Sequence, residues 1–264
     1  MDRTMMIRRI AAGAVSLSLL AGGGVLAGCG SGSSDTAASA ADAATQAPNG
    51  IEKLPAKEIL SKSLAASKAA SSVTVVGTVE GDGPEWSLDL VLGTGVGQGT
   101  MSIDGTRIME FRETGGKMYS KFTREGVESI IGPGGASKLI GGRWVVSPTG
   151  TEGAWASFLG EFGDKDALLA SLVQEGAKAT TAGTGDVKGT PVVFVRTGVL
   201  DDTATVAIRT VGEPYIIQVK GDDAGSISFS DWNAPVNVTA PTGAVSPDEI
   251  EAEGRRLEAA ARTT

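Results

Sequence analysis

The sequence predicts an α+β fold, a curved antiparallel sheet with helices laid on one face. Two stretches of period-two alternation, at about residues 73–122 and 191–230, read as strand meanders. Helix-period stretches lie before the first meander and between the two, which places helices and strands in separate layers. Gly- and Asp-rich turns punctuate each meander at hairpin spacing.

The first folded element is a helix from Pro55 to Ala70, rich in Ala, Leu and Lys, with Leu60 and Leu64 one turn apart. Strands follow. Val73, Val75 and Val79 alternate with Thr74, Thr78 and Glu80, and Trp86, Leu88, Leu90 and Leu92 alternate with Ser87 and Asp89. Met101 and Ile103 lead into Asp104-Gly105, a two-residue hairpin turn. Arg107 to Arg112, a Gly115-Gly116 turn and Lys117 to Phe122 complete the meander. From Arg124 to Gly142, Gly132-Pro133-Gly134-Gly135 and Gly141-Gly142 break the chain into short helical pieces on a loop. A helix starts near Asp164 as N-cap, carries Leu168, Leu169, Leu172 and Val173 as its stripe, and stops at Gly176. Four strands follow: Pro191 to Arg196, Thr203 to Thr210, Tyr215 to Lys220 and Ser226 to Ser230. The tail from Ser246 reads as a solvated helix.

The N-terminus sets the compartment. Arg3, Arg8 and Arg9 precede a charge-free apolar run from Ile10 to Val25, the length of a signal-peptide core and short for a membrane span. It ends in Leu26-Ala27-Gly28-Cys29, the pattern of a lipobox, with Cys29 as the lipidation site. Small residues at 27 and 28 suit a peptidase, and the thiol accepts a diacylglyceryl group with chains such as palmitate. The expected organisation is signal peptide 1–28, acylated cysteine and flexible tether 29–50, folded domain 51–241 and charged tail 242–264. The tether is Gly, Ser, Ala and Thr, too poor in apolar surface to order itself. Such a chain sits lipid-anchored on the outer face of the cytoplasmic membrane.

Composition narrows the chemistry. The single cysteine is the one to be acylated, and the chain has no histidine, so thiolate, imidazole and Ser-His catalysis are all out of reach. The signal region holds three of the 23 basic and one of the 31 acidic residues, leaving 20 and 30 and a net charge of −10. That surface repels nucleic acid and anionic headgroups, so attachment falls to the acyl chains.

Motifs that could carry other functions read as structure. Gly93-Thr94-Gly95-Val96-Gly97-Gln98-Gly99 precedes a strand, where a phosphate cradle needs a helix, and reads as a hairpin turn. Asp164/Asp166, Asp201-Asp202 and Asp222-Asp223 lack calcium-loop spacing and read as caps or solvated turns. Trp144, Trp155 and Trp232 read as core-edge packing ahead of sugar stacking. No serine-nucleophile signature occurs, and no catalytic residue, metal ligand or cofactor is expected.

The order of parts resembles the LppX/LprG family of actinobacterial lipoproteins, whose fold is like that of the LolA lipid carrier. The resemblance covers roughly Pro55 to Pro241. It is carried by Gly116-Lys117-Met118-Tyr119, Gly142-Arg143-Trp144-Val145, Thr184 to Thr190, and Gly225 to Trp232 with Pro235-Val236 beyond. It implies a half-barrel whose helices cover the concave face over an apolar cavity, and a role in binding a lipid or acylated glycolipid and carrying it to the envelope. Alternation supplies the candidate lining: Trp86, Leu88, Leu90, Met101, Ile103, Val206, Ile208, Ile217, Ile227 and Phe229. The alternative is a non-catalytic, protein-binding or regulatory envelope lipoprotein in which the same residues form a filled core.

Overall fold

The computed structural model describes residues 47–80, 83–131, 135–148, 163–173, 178–199 and 202–262. Leu26, Ala27, Gly28 and Cys29, most of the tether, Trp155, Gly176 and Asp201 lie outside the described residues.

The first meander runs β1 (Ser72–Val79), β2 (Trp86–Gly93), β3 (Val96–Ile103), β4 (Thr106–Thr114), β5 (Lys117–Phe122) and β6 (Trp144–Pro148). The second runs β7 (Ala179–Val187), β8 (Thr190–Val199), β9 (Asp202–Arg209), β10 (Ile216–Gly221) and β11 (Gly225–Ser230). Together they make one open, antiparallel, eleven-stranded sheet in the order β6-β5-β4-β3-β2-β1-β11-β10-β9-β8-β7. Within each meander, strands adjacent in the chain are adjacent in the sheet, while β6 and β7 lie at opposite edges. Pairing of β1 with β11 joins the meanders at a central seam.

The helices are α1 (Ala56–Ala69), α2 (Arg124–Ile131), α3 (Gly135–Ile140), α4 (Lys165–Leu172) and α5 (Pro247–Ala261). α1 packs chiefly on β7, β8, β10 and α4, whereas α2 packs on β4, β5 and α3. Eleven strands at about 4.8 Å spacing would make a flat sheet ~48 Å wide, while a 14-residue helix is ~21 Å long. Yet inward residues from both meanders and from α1, α2 and α4 belong to one buried cluster. The sheet therefore curls around its helices.

Gly77 at the seam helps that curl. A Cβ there would fall 2.3 Å from the Ser226 carbonyl oxygen and 2.6 Å from the Ile227 Cα, so only glycine admits the close approach of β11.

The expected helices form with Pro55 as N-cap of α1, and with Asp164 as N-cap of α4 accepting from the amides of Asp166 and Ala167. Such a cap is worth about 1 kcal/mol. Thr94-Gly95 makes the β2–β3 turn, while Gly97 and Gly99 belong to β3. Four differences from the sequence expectation stand out. β6 and β7 are additional strands. In β10 the pairing steps from Ile216–Ile208 to Gln218–Ala207, leaving Ile217 as a bulge. The bulge resets the alternation, so Ile216 and Val219 are buried and Ile217 stays half-buried outside the cluster. The tail is not free in solvent. Val245 bridges Val145 of β6, a Cβ at Gly254 would meet the Leu139 side chain of α3 at 3.5 Å, and Arg143 pairs with Glu253 at 2.7 Å.

Candidate functional site: the inner face of the sheet

Alternation aims one side of each strand inward, and the register aligns those positions across the sheet. One row runs unbroken over nine strands: Val195, Val206, Val219, Ile227, Gly77, Leu88, Met101, Met109 and Phe122. A parallel row passes from Phe229 through Val75, Leu90 and Gly99 to Phe111. Apart from the two glycines, every member is a buried apolar residue of the cluster.

Of the ten candidate residues, the structure brings Leu88, Leu90, Met101, Val206, Ile208, Ile227 and Phe229 together in that cluster. Trp86 and Ile103 pair across β2 and β3 at one end of the sheet, half-buried against it. Ile217 is at the bulge, and Ile216 takes the inward place. The face also includes Val75, Met109, Phe111, Val193, Val195 and Val219, whose own alternation carried the signal.

Two helices lie over the inner face: α1 on the β7–β10 side, and α4 against α1 with its start toward Phe111 and Met118 of β4 and β5. The inward stripe of α1 is Ile59, Leu60 and Leu64 with two buried serines. Ser63 satisfies itself by donating to the Leu60 carbonyl, and Ser67 Oγ accepts from the Ile216 amide beside the bulge. Lys165, 5% exposed, starts α4 and ties it to the end of α1. Its Nζ donates to the carbonyl of Lys68 at 2.7 Å, to that of Ser67 at 3.4 Å and to Asp166 Oδ1 at 2.5 Å. A buried ammonium is stable only with such partners.

Aromatic residues brace the end near α1's C-terminus. Tyr215 stacks on Trp232 with centroids 4.8 Å apart, and Phe229 extends the stack at 6.1 Å. Asn233 Nδ2 donates to the Tyr215 hydroxyl, and the Arg209 guanidinium lies 4.9 Å over the Tyr215 ring. Burial lowers the Arg209 pKa, and Tyr215 and Glu213 partly offset that. Trp144 lies beneath both Arg112 and Lys121. At the rim, burial and then the charge of Asp164 raise the Glu113 pKa above its ordinary 4.5. Asp222 pairs with Arg196, and Asp164 is spent as a helix cap. Among the described residues, no three His, Cys, Asp or Glu side chains converge as a metal site would need. No described helix is long and apolar enough to cross a membrane.

No family model matches the chain, and no curated protein sequence does. Solved structures do. LprF from Mycobacterium bovis is 21% identical over 74% of this chain and 99% of its own, with a TM-score of 0.48. The Mycobacterium tuberculosis lipoprotein LppX is 21% identical over 69% of this chain and 97% of its own, with a TM-score of 0.45. A conserved protein from Thermus thermophilus matches at 8% identity over 72% and 96%, with a TM-score of 0.39. LprF and the lipoprotein LppX thus stand among the chain's structural neighbours.

Proposed function

We propose that this chain is a non-catalytic lipoprotein, anchored through acylated Cys29 on the outer face of the cytoplasmic membrane, that holds a lipid or acylated glycolipid against the inner face of its sheet and carries it within the envelope. One observation carries this reading. The apolar rows run without a break across the seam, while α1 and α2 pack chiefly on opposite ends of the sheet. The middle strands β3, β2, β1 and β11 thus give an apolar floor between the α1 and α2 layers, its inward side chains buried. Acyl chains bind to such a surface because it offers contact area and few polar groups to desolvate. The lipobox and tether supply the location, and the missing histidine and thiol leave binding as the chemistry within reach.

A second reading has its own support: Leu90, Val206 and Ile208 are 0% exposed, as in a filled core. Native mass spectrometry of the full acylated chain, released from detergent, separates the two. Binding predicts a mass increment of one lipid per chain, lost on organic extraction, whereas the covalent anchor remains. A chain that stays at its own mass after incubation with host lipid extract would be a filled-core protein.

A further inference from the structure

We propose that Thr197 is the polar anchor of the lipid site, donating its hydroxyl to the carbonyl of an acyl ester; this rests on the lipid-binding reading above. β8 turns Val193, Val195 and Thr197 inward in strict alternation, and all three are buried. Thr197 is 2% exposed, and among the described residues its Oγ1 has no hydrogen-bond partner. Its cross-strand neighbours are Ala179 and Ala204, and the next residue on that row is Gly221. A hydroxyl therefore stands among side chains that end at Cβ or earlier, next to the row of Val195, Val206 and Val219.

A buried hydroxyl without a partner costs stability, and valine has the same shape without that cost. Water is a poor partner here, since a buried water needs two to four polar contacts and the neighbouring backbone is committed to the β7–β8 and β8–β9 ladders. The complementary group is one acceptor on an otherwise apolar molecule, which describes an ester carbonyl at the head of an acyl chain. The small row sets only short side chains against an ester, and the larger apolar row beside it suits the methylenes. At the same end of the sheet Val79, Trp86 and Ile103, aligned across β1, β2 and β3, stay half-buried and apolar, a lip over which a chain could enter.

The test uses the full acylated chain in vesicles of diphytanyl ether phosphatidylcholine, a carrier lipid without esters. Two photo-crosslinking probes are added separately: a diacylglycerol ester and the matching dialkyl ether, each with a chain diazirine. The wild-type chain should label with the ester about five- to tenfold more than with the ether, the worth of one hydrogen bond. Thr197→Val should bring the two to parity with no fall in thermal midpoint, and Thr197→Ser should keep the ester preference. An ester-to-ether ratio near one in the wild type, or one unchanged in Thr197→Val, would overturn the assignment of Thr197 while leaving lipid binding intact. Labelling by neither probe would remove the lipid-binding reading itself.

Discussion

The two edges of the sheet face the same hazard and meet it differently. An open edge offers unpaired amides and carbonyls to any passing strand. At β6 the chain covers its own edge: the Val245 amide donates to the Trp144 carbonyl, and the Val146 amide donates to Val245. α5 then packs beside it on α3, started by a capping box in which Ser246 and Glu249 exchange hydrogen bonds. At β7 no described segment pairs with the outer side. That strand is almost wholly exposed, and its register with β8 slips between Thr181 and Thr184. Gly183 sits in the slip at φ 97°. A bulge and a run of Thr, Gly and Asp spoil the ladder a partner strand would need. One edge is protected by addition and the other by irregularity, so the first can be lost by truncation and the second by regularisation.

The largest effect should come from removing residues 242–264. This strips the β6 cover, the α5 packing and the Arg143–Glu253 pair. We expect a loss of about 2–4 kcal/mol in denaturant unfolding and concentration-dependent association seen by light scattering. At β7, Gly183→Val forces a branched side chain into a left-handed conformation and should cost about 1–2 kcal/mol. Deleting Gly183 is the sharper probe: it evens the β7–β8 count, and association should rise while the isolated fold survives. If the deletion stays monomeric, the bulge is not what protects β7. Next, Ser246→Ala should loosen α5 by about 1 kcal/mol, read as faster hydrogen exchange of its first-turn amides with no change in β7.

The smallest effects are electrostatic and opposite in sign. Hydrogen bonds from the Ser246 backbone and then its side chain lower the Glu249 pKa below 4.5. Its contribution is therefore present above pH 4.5 and is lost as pH falls through the lowered value. Burial raises the Glu113 pKa, so ionising it works against folding as pH rises through the raised value. Glu249→Gln should lower, and Glu113→Gln should raise, the thermal midpoint at neutral pH. Equal signs would contradict these assignments.

What the sequence disclosed follows the same division. β1, β2, β4, β5 and the end of β3 are legible because each has a buried apolar face or a turn of definite chemistry, such as Asp104-Gly105 with both residues at positive φ. Val96 to Gly99 of β3, by contrast, read as turn. β7 is not legible, since an edge strand of Thr, Ala and Gly has no buried face to write a pattern. β6, five residues after a Gly-Gly break, is too short to declare itself. The phase error at Ile217 has another cause: Tyr215-Ile216-Ile217 offers a large apolar residue at every position, and only the pairing with β9 shows where the bulge falls. Of the candidate face, the apolar members were readable by period. Thr197 was hidden because a threonine in a strand looks the same whether its hydroxyl meets water or none.

The point where the proposed tether meets the domain has a mechanical consequence. Before α1 begins, the chain is pinned to the β9–β10 turn: the Asn49 amide donates to Thr210, Gly212 donates to Ala47, and the Asn49 side chain holds the carbonyls of Arg209 and Gly212. Tension on a leash from the proposed anchor at Cys29 would be borne by that turn before it reached α1. The 18 residues from Cys29 to Ala47 extend to ~60 Å, nearly twice the ~33 Å length of the ten-residue β8. The pin lies at the opposite end of β9 from the Thr197 row. If Cys29 is anchored as proposed, a pull through that pin would turn the row away from the bilayer.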